Sequence, residues 1–263
     1  MAMIVGVLTA MILVVYSIVL GGWKALSSFY HIPSILITFG GAFFVTMAMC
    51  PTIKDFFVNI ASIRLTFKKT EGSQEDTIRQ IIELANIARK EGLLSVEEAA
   101  NNIEERFLKK GILLIVDGTD PELVRSILEN EIVCVDSRHK DKIGFWENLG
   151  SMGPSWGMIG TLIGLINMLK DMGDVATVGP NMSTALVTTF YGSILANWLC
   201  APVANRLKAK NDEEIMMKDM MVEGILSIQA GENPRVIEEK LKAFLNTNRQ
   251  EAFNKKEEGE EVE

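Results

Sequence analysis

The chain has 263 residues, 48% apolar and 23% charged, with a mean hydropathy of +0.20. It is too apolar for an ordinary soluble domain and too charged to lie wholly in lipid, so apolar spans separated by polar blocks are expected. A net charge of −8 gives no basic footprint for nucleic acid, and three scattered cysteines, Cys50, Cys134 and Cys200, suit small buried hydrophobes in a reducing compartment rather than a disulfide framework or a zinc site.

In chain order, the first element is the uncharged run Met3 to Leu20. No Lys or Arg precedes its apolar core and the run is too long for a signal-peptide h-region, so an uncleaved span is expected. A second uncharged run, Ile32 to Cys50, follows a short link holding only Lys24. Residues 51–144 then read as a helical domain. Ser73, with Glu75 and Asp76 in the next turn and Ile78, Ile81, Ile82 and Ala85 at helical spacing, opens a helix that Gly92 closes. Ser95 with Glu98 resembles a capping box for a helix running to Gly111, and Ile112 to Val116 is a short strand-like run. Asp120-Pro121 and Asn233-Pro234 read as N-cap and N1 pairs of two further helices. Between these lie uncharged runs from roughly Leu149 to Leu169 and Met182 to Asn205. From about Gln250 the sequence "EAFNKKEEGEEVE" reads as a disordered acidic tail.

Each uncharged run is long enough, at about 1.5 Å per residue, to cross a hydrocarbon core of about 30 Å. The expected fold class is therefore all-α, a polytopic membrane protein with four transmembrane helices and a helical cytoplasmic domain. Its segments are 1–50 (spans one and two), 51–144, 145–205 (spans three and four) and 206–263. Lys24 and Lys170 alone mark the two short links, whereas Lys54, Arg64, Lys68, Lys69, Arg138, Lys140, Lys142, Arg206, Lys208 and Lys210 flank the other ends. By the positive-inside rule both termini and the long middle segment are cytoplasmic.

The third run is short of leucine. Gly153, Gly157, Gly160 and Gly164 fall within about 60° of one another around a helix, and Ala185, Thr189, Gly192 and Ala196 repeat the pattern in the fourth. In lipid such stripes let backbones approach closely, so the plainest reading is tight packing against other helices. Pro154 and Thr161, seven residues apart, share a flanking face, and Thr188 and Thr189 add hydroxyls in the fourth span. Each threonine either bonds a carbonyl one turn back or joins a set of neutral oxygens suited to easing an ion or water past. The four runs hold no Asp, Glu, Lys, Arg or His. Proton relays normally need such a group, so if the chain moves ions a second chain must supply it. His31 and His139 are lone, and no phosphate loop, metal-binding His pair or nucleophile motif is present, so neither an enzyme nor a cofactor or metal is expected.

The segments "GPSWGMIGTLIGLI", "ALVTTFYGSILANWLCAPVANRL" and "ARKEGLLSVEE", in this order and topology, resemble the MotA/PomA flagellar stator proteins over nearly the whole chain. The resemblance implies an ion-driven torque generator of the bacterial inner membrane. Five copies would surround two of a single-span MotB-type partner, whose membrane Asp carries the ion. It implies coupling roles for Pro154 and Pro202 and an ion path past Thr161 and Thr189, with Thr188 adjacent. It also implies that Arg89 and Glu97 engage the rotor protein FliG, with Lys90 and Glu98 as neighbours. From the residues alone, those four charges equally suit solvated helix ends. The alternatives are an ExbB/TolQ-like proton-channel energiser, which usually has three spans, and a non-conducting scaffold. Thr161 resembles the residue of sodium-driven members, yet hydroxyls also suit proton passage, so the ion stays open between the two.

Overall fold

The computed structural model describes residues 2–22, 27–68, 72–170, 173 and 175–260; Lys24, Lys69 and the last three residues of the expected tail lie outside them. Among the described residues the fold is helical, without strands. Helix α1 is Ala2–Leu20, α2 is Ile32–Ala48 with a π-helical stretch at Leu36–Gly40, and α3 is Ile53–Ala61, continued by a 3-10 turn at Ser62–Thr66. Then come α4 (Gln74–Glu91), α5 (Val96–Asn101), α6 (Arg106–Val116) and α7 (Pro121–Lys170). Helix α8 (Val175–Ile194) passes through a π-helical stretch, Leu195–Cys200, into α9 (Ala201–Gln229), followed by α10 (Pro234–Lys242) and α11 (Thr247–Glu260).

Three stretches, Met3–Leu20, Pro121–Lys170 and Ala176–Gln229, are long and apolar enough to cross a membrane, and Ile32–Ala48 supplies a fourth when taken with Ile53–Thr66 beyond a bend. None of the α1 span is buried within the chain, as expected of a helix facing lipid all round.

Two compact units emerge. The first comprises residues 1–68 and 139–209. Its core joins Ala42, Phe56, Phe145, Trp146, Leu149, Leu195, Cys200 and Val203. Phe56 meets Phe145 edge-on at 5.6 Å, and Trp146 Nε1 donates to Ser62 Oγ at 3.0 Å, which satisfies the indole while its ring stays buried. His31 is the N-cap of α2, its Nδ1 accepting from the Ser34 amide at 3.3 Å. Of the cysteines, Cys200 is buried, Cys50 half-buried and Cys134 exposed, so the expectation of burial fails for Cys134, which lies on the outer side of α7.

The second unit comprises residues 69–138 and 210–263 and packs Ile78, Ile81, Phe107, Leu108, Ile112, Leu128, Met220, Met221, Ile225 and Leu241 into one core. Four sequence expectations change here. Ser95 does not cap: its backbone is already helical, its hydroxyl donates to Glu91 O at 3.0 Å, and the helix it precedes stops at Asn101. Gly111 does not end a helix and 112–116 is not extended; both lie inside α6, where Phe107, Leu108, Gly111, Ile112 and Ile115 form a buried stripe of helical period. The glycine is there for room, since a methyl group on it would strike Ile225. The expected disordered tail is helical through Glu260, because Phe253, only 1% exposed, anchors it beneath Arg79 and Lys242 at 5.5 and 5.1 Å. Lys240 donates to both carboxylate oxygens of Glu232 at 2.8 Å, which holds that carboxyl below the ordinary range. A depressed carboxylate contributes stability above its unfolded pKa and loses it on acidification, so this pair is intact at neutral pH.

Candidate functional site

The site is built where the glycine stripe of α7 lies against α8. A methyl group on Gly153 would sit 2.7 Å from Gly192 O, and one on Gly157 would sit 2.9 Å from Thr188 O and 3.1 Å from Thr189 Cα. On Gly160 it would press into the Thr188 side chain, 2.6 Å from Cβ, and on Gly164 it would meet Asn181 O at 2.7 Å and Ala185 N at 2.8 Å. The stripe thus runs backbone to backbone against Gly192, Thr188 and Ala185 of the facing helix, while Ala196 lies half-buried further along.

Beside this seam the structure brings two hydroxyls together. Thr161 Oγ1 lies 2.5 Å from Thr189 Oγ1 and donates to Ala185 O at 3.0 Å or Gly157 O at 3.1 Å. Thr189 also reaches Ala185 O, at 3.4 Å. Two hydroxyls and two carbonyls here form a compact group of neutral oxygens, with Thr161 half-buried and Thr189 exposed. They can ligate a cation or relay a proton through hydroxyl and water; they cannot hold a charge themselves. Pro154 is exposed two turns away, and α7 stays helical across it, so no break in the span accompanies the missing donor.

Thr188 is not part of that group. It is wholly buried, its hydroxyl turned to Thr184 O and Ala185 O at 3.0 and 2.9 Å. Pro202, half-buried, is the second residue of α9, just after the π-helical stretch Leu195–Cys200. Wider turns of this kind adjust the backbone around a residue without an N–H, and the proline was the sequence signal for it.

Two hydroxyls of α2 also support the seam. Thr38 Oγ1 donates to Thr188 O at 3.2 Å and Ser34 Oγ to Thr184 O at 3.4 Å, tying α2 to the back of α8. Ser34, Thr38, Ala42 and Thr46 are all buried and spaced by four, a small-residue stripe visible in the sequence of the second span.

In the second unit, Arg89 and Lys90 end α4 and Glu97 and Glu98 begin α5, separated by Gly92 at φ +91° and a 3-10 turn, Leu93–Ser95. All four charges are exposed, and Leu94 between them is 75% exposed. A groove of about 420 Å³ along α4 is lined by Arg79, Ile82, Glu83, Asn86, Ile87 and Lys90.

Residues 99–220 match the MotA/TolQ/ExbB proton channel family. Over nearly its full length the chain is 41% identical to chemotaxis protein PomA of Vibrio alginolyticus, covering 94% of this chain and 95% of that one. The chain belongs to the MotA/PomA family of flagellar stator proteins. It is also 35% identical to motility protein A of Treponema phagedenis, covering 94% of each. The solved flagellar MotAB stator complex from Bacillus subtilis superposes with a TM-score of 0.86 at 31% identity, over 96% of this chain and 99% of that one. MotA/PomA chains are multi-pass membrane proteins and subunits of ion-driven motors, not a class of enzymes, and this one is a stator subunit coupling ion flow to torque.

Proposed function

We propose that the Thr161–Thr189 hydroxyl pair over the Ala185 carbonyl is this chain's contribution to the ion path, and that the ionisable group comes from the Asp of a MotB-type single-span subunit. The observation that supports it most is a cluster of neutral oxygens placed in spans that hold no Asp, Glu, Lys, Arg or His. The assembly is a homopentamer around a partner dimer in the bacterial inner membrane, with both termini cytoplasmic. Pro154 and Pro202 act in coupling, the glycine and alanine stripes in close helix packing. Arg89, Lys90, Glu97 and Glu98, with Leu94 between them, face the rotor protein FliG. The chain catalyses no reaction of its own. Four spans favour this reading over an ExbB/TolQ-like energiser.

Thr161→Val keeps the shape and removes only the hydroxyl. The variant should co-purify with its partner at normal yield yet swim more slowly as sodium or proton supply is varied. Pro154→Ala should likewise assemble and uncouple. Normal swimming by both assembled variants under every condition would return this face to ordinary packing.

A further inference from the structure

Threonines inside membrane spans ordinarily close their hydroxyls on a carbonyl of their own helix. Thr46 does so on Ala42 O at 2.8 Å, Thr184 on Pro180 O at 3.1 Å and Thr188 on Thr184 O at 3.0 Å. Thr38 does not. Its hydroxyl leaves α2 and donates to Thr188 O of α8 at 3.2 Å, and both residues are wholly buried. Thr38 is also the middle residue of the π-helical stretch Leu36–Gly40, a kind of turn that is rare and recurs at functional sites.

The acceptor stands one peptide unit from the ion path. The Thr188 carbonyl and the Thr189 N–H belong to one rigid plane, and Thr189 Oγ1 is half of the hydroxyl pair, 2.5 Å from Thr161 Oγ1. Ser34, four residues earlier in α2, repeats the pattern. Its hydroxyl reaches Thr184 O at 3.4 Å, on the plane that leads into Ala185, whose carbonyl completes the cluster. Ser34 Oγ lies closer to His31 Nδ1, at 2.8 Å, so Thr38 makes the firmer tie. Thr188 is thus gripped from two sides: its side chain fills the hollow at Gly160 of α7, and its carbonyl is held by α2. Helix α2 is itself seated on α7, where a methyl group on Gly41 would strike the Trp156 ring. A seam of glycine and alanine gives close contact but few protruding side chains to oppose rotation of α8. A directed bond from a third helix supplies that restraint.

We infer that Thr38 is a positioning residue of the ion path. By holding the peptide plane between residues 188 and 189 it keeps Thr189 turned to Thr161, with Ser34 supporting it one turn away. Buried behind α8, Thr38 does not touch the ion. The inference rests on the Thr161–Thr189 reading above and adds α2 to it as the wall that sets the geometry of the pair.

The test is ion flux per assembled complex, with this chain co-reconstituted with its single-span partner in liposomes. Thr38→Val keeps the shape and removes the donor; Thr38→Ala serves as the donor-free variant where valine lowers the yield. The expected fall in flux is about fivefold, the weight of one ordinary hydrogen bond, and no larger than that of Thr189→Val. Thr38→Ser keeps the donor and should recover most of the parent flux. Thr38→Val combined with Thr189→Val should conduct no less than Thr189→Val alone, because no hydroxyl is left to aim. Thr46→Val removes a buried hydroxyl of the same helix whose bond stays within α2, and should conduct like the parent. Parent-like flux in Thr38→Val beside reduced flux in Thr189→Val would overturn the positioning role and leave the ion path standing. Parent-like flux in Thr189→Val would overturn both. A further fall in the combined variant, an equal fall in Thr46→Val or no recovery in Thr38→Ser would make Thr38 an ordinary packing residue and overturn the inference. Failure of both donor-free variants to assemble would do the same.

Discussion

Thr188 and Thr189 are neighbours in sequence but point to different sides of the seam, because successive residues in a helix are about 100° apart. Thr189 meets Thr161 in the hydroxyl cluster, while Thr188 fills the hollow left by Gly160. The sequence displayed both hydroxyls and the glycine period, but it could not say which threonine fell on which side of the seam. That depends on the rotation of α8, which Thr38 and Ser34 of another helix help to set. The same geometry separates two kinds of glycine. At Gly157 a methyl group meets fixed backbone, Thr188 O and Thr189 Cα, whereas at Gly160 it meets a side chain. Both alanine substitutions should destabilise the helix pair, each by about 1–3 kcal/mol of overpacking. Only Gly160→Ala should be recovered by Thr188→Gly, measured against Thr188→Gly alone, because that change removes the obstructing Cβ with Cγ2 and Oγ1. Thermal unfolding of these variants in detergent checks this: recovery of Gly157→Ala by the same partner change, or none for Gly160→Ala, would contradict the seam as described.

At the scale of elements, helices with their own punctuation were legible in advance. Gly92 closes α4, Asp120-Pro121 opens α7, and Asn233-Pro234 opens α10, because caps are local chemistry, whereas Ser73 precedes α4 with its hydroxyl donating to Glu75 and capping no amide. Elements decided by distant partners were not. The run 112–116 has strand-like composition, yet packing against Ile225 and Leu128 makes it helical. The acidic composition after Gln250 hides a single anchor, Phe253, and two polar latches. Arg249 donates to Gln74 at 3.1 Å and sits 3.8 Å from Glu75, and Gln250 covers the carbonyls of Lys242 and Leu245 at 2.8 and 2.9 Å. Helix α11 thus holds the first turn of α4, whose far end bears Arg89 and Lys90. Phe253→Ala removes a buried ring of a class worth about 3–5 kcal/mol in well-packed cores. A terminal helix can detach rather than leave a cavity, so the loss should appear locally. Amide exchange should quicken throughout α11 and in the first turns of α4, while α7 and α9 keep their protection. Unchanged exchange in α11 would mean that Phe253 is not its anchor.

For the whole molecule the decisive feature is a division of chemistry between chains. Its four apolar runs offer close-packed glycine, hydroxyls and carbonyls, but no Asp, Glu, Lys, Arg or His. A lone carbonyl-and-hydroxyl cluster can lower the barrier for an ion already there, but it cannot take a proton from water and return it on the other side. This was legible from the sequence as an absence and needed no coordinates; what the structure adds is that the neutral oxygens are gathered in one place. Conduction should therefore be a property of the pair of chains, and the pH dependence of flux should follow the partner's carboxylate rather than any residue here. Reconstituted alone in liposomes, this chain should pass neither sodium nor protons above the empty-liposome background. Co-reconstituted with its single-span partner it should pass one of them, and replacing the partner's membrane Asp by Asn should return flux to background. Thr161→Val in the same assay should reduce flux without abolishing it, because Thr189 and the Ala185 carbonyl remain. Selective flux from this chain alone would show a charge-carrying route outside the four runs and would remove the need for a partner. Equal flux by Thr161→Val and the parent pair would place the ion path on another face of these helices.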